Sequence, residues 1–142
     1  MSNRTFYNEV LTDHNIHPEN KFKIKDFTFE KEGVNPSCGD DIVLQIKYED
    51  GVITDAAFVG EGCAISQAST DIMTSLVKGK TKEEALRLSD IFLRMIKGEA
   101  SEDEIQELEE GSALEDISHM PARVKCAVLG WRTLNEILKE SE

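Results

Sequence analysis

The sequence predicts an α+β fold, a small three-stranded antiparallel sheet with one helix before it and several after it. Three observations lead there. Over residues 41–48, Ile42, Leu44, Ile46 and Tyr48 alternate with Val43, Gln45 and Lys47, the period of a strand with one buried face. Asp50-Gly51 then supplies a two-residue hairpin turn into a second strand over 52–59. Beyond Gly62 the apolar residues recur at three- and four-residue steps, the period of helices. A chain of 142 residues with 39% hydrophobic content suits one core, so residues 1–142 are expected to form a single domain.

The elements follow in order. Phe6, Tyr7, Val10 and Leu11 share one helical face that His14 continues, which predicts a short N-terminal docking helix. Phe27 and Phe29 alternate with polar neighbours and predict the first strand, ahead of a turn over 33–36. Ile65, Ala68, Ile72 and Leu76 form the stripe of a helix that Gly79 stops. Thr81 with Glu84 has the pattern of a capping box, opening a helix whose stripe is Ala85, Leu88, Phe92, Met95 and Ile96, up to Gly98. Ser101 with Glu104 repeats that pattern for a short helix ending near Gly111. The last helix begins after Pro121, with Val124, Ala127, Val128, Trp131 and Leu138 on one side.

Charge and composition exclude several functions. The formal net charge of −12 repels phosphate backbones and anionic membrane surfaces, so neither nucleic acid nor a membrane is an expected partner. The first thirty residues hold no signal-peptide core and no later stretch approaches a membrane span, which predicts a cytoplasmic protein. No Ser-His-Asp set or glycine-rich phosphate loop is present, which argues against hydrolase and nucleotide-binding readings. Residues 99–118 carry nine of the carboxylates and no lysine or arginine. This acidic stretch reads as a surface insertion with a solvated face, or as a docking patch for a basic partner.

The chemistry rests on three cysteines, an odd number with wide spacing and no disulfide framework. Cys38 lies among turn residues in Asn35-Pro36-Ser37-Cys38-Gly39-Asp40, where a thiol can be presented. Cys63 follows Gly60-Glu61-Gly62 at the start of a helix, where unpaired backbone N–H groups favour a thiolate. Cys126 lies in the first turns of the last helix. At 100° per residue it falls about 160° from Val124 and Val128, off the apolar stripe. If the three converge, Asp40 is the nearest candidate for a fourth ligand, and a Cys3Asp set suits zinc. Arg123 and Lys125, flanking Cys126, are then placed to offset the excess negative charge. A carboxylate is the hardest and most exchangeable ligand of such a set, which favours exchange over permanent closure. His14, His17 and His119 are assigned surface or capping roles.

These residues resemble the U-type iron–sulfur cluster assembly proteins, the IscU/SufU family. The resemblance rests on Asn35-Pro36-Ser37-Cys38-Gly39-Asp40, Gly60-Glu61-Gly62-Cys63-Ala64-Ile65-Ser66 and Arg123-Val124-Lys125-Cys126. It implies a SufE/NifU-like fold and a site on Cys38, Asp40, Cys63 and Cys126 holding zinc or an assembling cluster. IscU proteins carry Leu-Pro-Pro-Val-Lys and a histidine directly before the third cysteine, whereas this chain reads Met120-Pro121-Ala122-Arg123-Val124-Lys125-Cys126. The longer stretch between the second and third cysteines also looks like the SufU branch. That branch implies a zinc-dependent sulfur acceptor for a SufS-type cysteine desulfurase, whose pyridoxal phosphate belongs to the partner. A downstream iron–sulfur scaffold or apo-protein would receive the sulfur. In that reading Cys38 takes the persulfide sulfur, Asp40, Cys63 and Cys126 keep the zinc, and Arg123 helps the partner contact. Under the IscU logic Cys126 is the acceptor and the same ligands assemble a [2Fe–2S] cluster. A purely structural zinc module is the third alternative.

Overall fold

The computed structural model describes residues 3–36 and 39–140, with the side chains of residues 3–8 excepted. Helix α1 (Asn3–Ile16) leads through an irregular segment to strands β1 (Phe29–Asn35), β2 (Asp40–Glu49) and β3 (Val52–Glu61). Helices α2 (Ala64–Val77), α3 (Lys82–Ile96) and α4 (Glu102–Glu107), a 3₁₀ segment (Glu109–His119) and helix α5 (Pro121–Glu140) follow. The sheet is an antiparallel meander in the order β1-β2-β3. The α+β expectation and its element order hold.

The expected hairpin turn is present: Asp50 and Gly51 both have positive φ, 52° and 79°, as a two-residue type I′ turn requires. The face carrying Ile42, Leu44 and Ile46 is fully buried, as are Ile53 and Ala56 opposite it on β3. The other face is not simply solvated. Gln45 accepts the Ile24 N–H at 2.7 Å and donates to Glu30 at 2.7 Å, so the segment between α1 and β1 covers the middle of that face.

Strand β1 runs through Gly33 and Val34 to Asn35, further than the turn expected over 33–36. The reason is packing: Gly33 is where α5 crosses the strand, and a Cβ there would overlap the Thr133 side chain and press on Leu129. Both predicted capping boxes, Thr81 with Glu84 and Ser101 with Glu104, are formed. The helix after Ser101 ends at Glu107, earlier than expected, and continues as the 3₁₀ segment. Leu108, Leu114 and Ile117 of this region are fully buried, while most of its carboxylates face outward. Arg94 grips Glu104 through two bonds of 3.0 and 2.6 Å. Those bonds, with the Ser101 backbone N–H, pull the Glu104 carboxyl down to about 2.

The helical layer is organised around Trp131, fully buried and stacked on Phe92 with ring centroids 4.1 Å apart. Its indole N–H donates to Ser69 Oγ at 2.9 Å, and Ser69 donates to the Ala127 carbonyl at 2.6 Å, which fixes α5 against α2. The two helices approach closely at Gly130, where a Cβ would lie 2.6 Å from Thr70 Oγ1. Gly130→Ala is therefore expected to destabilise the protein by about 1–3 kcal/mol through overpacking. Urea unfolding of the two proteins measures it.

A buried polar cluster ties α1 to this layer. His14 Nδ1 lies 2.5 Å from Asp71 Oδ2 and its Nε2 lies 3.1 Å from Glu110. Asp71, fully buried on α2, also accepts the backbone N–H groups of Glu19 and Asn20 at 3.2 and 2.8 Å. Sequence reasoning gave His14 a surface or capping role; it is 3% exposed. Burial opposes its charged form, but the bonds to Asp71 and Glu110 and their negative charge outweigh that and raise its pKa above the ordinary value. A raised folded-state pKa stabilises the fold fully below the unfolded-state value and loses that contribution as pH rises through the folded-state value. The stability difference between wild type and His14→Gln, followed by urea unfolding from acidic to mildly alkaline pH, should therefore shrink as pH rises.

Candidate metal centre

The site forms where the ends of β1 and β2 meet the start of α2. Asp40 is the first residue of β2 and pairs with Asn35, the last residue of β1. Its carboxylate is 1% exposed and does not face water. Oδ1 accepts the backbone N–H of Cys63 at 2.8 Å, and Oδ2 accepts from Asn35 Nδ2 at 3.2 Å. A buried carboxylate held this way presents its remaining lone pairs in a fixed direction.

Cys63 is the N-cap of α2, with φ −69° and ψ 166°, and its Sγ accepts the Ser66 N–H at 3.4 Å. The sulfur thus takes the place that a serine or aspartate oxygen usually fills at a helix start. Gly62, directly before it, lets the carboxylate come close: a Cβ there would lie 2.6 Å from Asp40 Oδ1.

Cys126 departs from the sequence expectation. It is 1% exposed and belongs to the core, although the helical wheel set it off the apolar stripe. The reason is that α5 is covered on two sides. Its predicted stripe faces the helices, whereas Leu129 and Thr133, on the same side as Cys126, face β1 at Gly33. That second face ends at the site, where Cys126 Sγ lies 3.9 Å from Asn35 Nδ2.

The ligand atoms of Asp40, Cys63 and Cys126 all lie within 4.8 Å of one another. Two sulfurs and a carboxylate oxygen at that separation are a donor set suited to zinc, which takes Cys and Asp ligands at roughly 2.0–2.3 Å. The structure therefore brings together three of the four predicted ligands from three elements. Cys38 lies outside the described residues, within the connection between the paired Asn35 and Asp40. Arg123 and Lys125 are exposed on the first turns of α5, and neither forms an ion pair among the described residues. Asn35 is the residue that sequence reasoning overlooked. It stands in the quoted motif and read as a turn former, yet its amide reaches both Asp40 and Cys126.

Comparison with known proteins shows the family and the fold. Residues 6–127 match the family model of the NifU-like N-terminal domain. The chain is 41% identical over 138 residues to the zinc-dependent sulfurtransferase SufU of Bacillus subtilis, covering 97% of this chain and 92% of that protein. It is 40% identical over 137 residues to the iron–sulfur cluster assembly scaffold protein IscU of Thermotoga maritima, covering 96% and 95%. Among solved structures, FiSufU from Fervidobacterium islandicum superposes with a TM-score of 0.84 at 36% identity, covering 96% of this chain and 99% of that one. A NifU-like protein from Brucella abortus, 24% identical with 98% and 96% coverage and a TM-score of 0.83, shares the fold.

The donor set makes a direct prediction. Cys63→Ser and Cys126→Ser should each weaken Zn2+ binding by at least tenfold, measured by competition with a chromogenic chelator, and should weaken the sulfur-to-metal charge-transfer absorption of the Co2+-loaded protein. From its motifs, its fold and its relatives, the chain belongs to the NifU-like N-terminal domain family, the family of the IscU and SufU proteins.

Proposed function

We propose that this protein serves iron–sulfur cluster assembly in the cytoplasm as a zinc-dependent sulfur acceptor. Cys38 takes the sulfur, and Asp40, Cys63 and Cys126 keep the metal. The observation that carries this reading is the convergence of the three ligand atoms within 4.8 Å, beside the connection that contains Cys38. The relative from Bacillus subtilis, named a zinc-dependent sulfurtransferase, supports the same choice. Bound zinc would favour the deprotonated thiols that hold it and so keep a nucleophile available near neutral pH.

The chain's own residues do the rest. Asn35 and the Cys63 N–H orient Asp40, and Ser66 N–H orients the Cys63 sulfur. The transfer itself is thiol exchange. The Cys38 thiolate attacks the outer sulfur of a persulfide on a SufS-type cysteine desulfurase, an S–S bond forms on Cys38, and the desulfurase thiolate leaves. The pyridoxal phosphate that generates that persulfide resides in the desulfurase. The exposed Arg123 offers a contact for an acidic surface of this partner. The sulfur then passes to a downstream scaffold or apo-protein.

A second reading keeps the same residues for a scaffold that assembles a [2Fe–2S] cluster as cargo. It is favoured by the single oxygen donor among sulfurs, a ligand suited to release, and by the scaffold names of the IscU relatives.

Cysteine-dependent turnover of the cognate desulfurase, measured without iron, separates the two. Zinc-loaded protein should stimulate turnover several-fold, while zinc-stripped protein and Cys38→Ala should not. Absence of stimulation, with iron-dependent cluster absorption and transfer to an apo-acceptor, would favour the scaffold.

A further inference from the structure

Ser66 stands three residues into α2 from the N-cap Cys63 and is fully buried. Its backbone N–H donates to Cys63 Sγ, but its own hydroxyl has no hydrogen-bond partner among the described residues. A buried hydroxyl without a partner is destabilising, so its presence calls for a second arrangement in which it is used.

The local geometry indicates which one. In a capping box the N-cap side chain accepts the N–H three residues on, and the side chain at that third position reaches back to the N-cap N–H. Here the first half is formed by Cys63 Sγ and the Ser66 N–H. The second half is missing, because Asp40 Oδ1 already accepts the Cys63 N–H at 2.8 Å. Ser66 Oγ is nevertheless close by. A Cβ on Gly62 would lie 2.6 Å from Asp40 Oδ1 and 3.3 Å from Ser66 Oγ, so the glycine leaves open the space between the two oxygens.

We propose that Ser66 is a positioning residue for the metal centre: its hydroxyl takes over the Cys63 N–H and thereby frees Asp40 to exchange between capping α2 and ligating a metal. The proposal rests on the metal-holding role of Asp40, Cys63 and Cys126 argued above. Asp40 has two duties in this site, and its release from the N–H would otherwise orphan a partly buried donor. The unused hydroxyl removes that cost. Gln67, the neighbouring residue whose amide is likewise unpartnered, cannot play this part, because it lies beyond the third position that reaches back to the cap.

The test uses Ser66→Ala and Ser66→Thr in the full chain, with Zn2+ as the probe. Removing the hydroxyl should raise the Zn2+ Kd about tenfold, and Thr should restore it. The metal-free Ser66→Ala protein should melt no lower than wild type, because the hydroxyl makes no bond there to lose. In wild type, amide hydrogen exchange should keep the Cys63 N–H protected with and without Zn2+, since one acceptor replaces the other. Unchanged Zn2+ affinity in Ser66→Ala overturns the role of Ser66 and leaves the metal centre standing. A lower melting temperature of the metal-free variant overturns it too, by showing a bond already made. Loss of Cys63 protection when wild type binds Zn2+ overturns it without recourse to any variant. Failure of wild type to bind Zn2+ overturns the metal centre and this proposal together.

Discussion

The carboxylate of Asp40 is the constraint on which the arrangement depends. One oxygen caps the backbone of Cys63 and the other is held by Asn35, so a single buried group joins the end of β1, the start of β2 and the first turn of α2. Burying a carboxylate is costly unless it is hydrogen-bonded. The two bonds that lower this cost also fix the direction of the carboxylate beside the two sulfurs.

The third corner of the site is delivered from a distance. Cys126 is positioned by α5, and α5 is positioned by two crossings, one against α2 and one against β1. Against α2, the Trp131–Ser69–Ala127 bonds and the close approach at Gly130 leave little freedom to slide or rotate. Against β1, Gly33 receives Leu129 and Thr133. Small residues at both crossings allow the helix axis to lie near its neighbours, and dense packing then transmits that placement to the sulfur at its N-terminal end.

The His14–Asp71–Glu110 cluster and the acidic stretch extend this frame to the other side of the helical layer. Leu108, Leu114 and Ile117 insert the stretch into the core, while Glu110 reaches the buried imidazole. The segment is acidic outside and apolar inside. Composition alone reports the first property more loudly than the second, because its charges are clustered in sequence and its apolar residues are spaced by helical turns.

By itself the sequence determined the sheet, its hairpin, both capping boxes and most helix stripes, because each depends on contacts within a few residues. Period-two alternation, Asp50-Gly51 and the Thr81–Glu84 and Ser101–Glu104 pairs are local signals with local physical causes. It also marked the cysteines and Asp40 through the residues around them. Only the tertiary structure decided that Cys126 is buried, that the Asn35 amide reaches both Asp40 and Cys126, that Gln45 and His14 lie inside, and that β1 continues through Gly33. Each of these follows from a second surface arriving from far along the chain. A helical wheel finds one apolar face, and it cannot tell that α5 is covered on two.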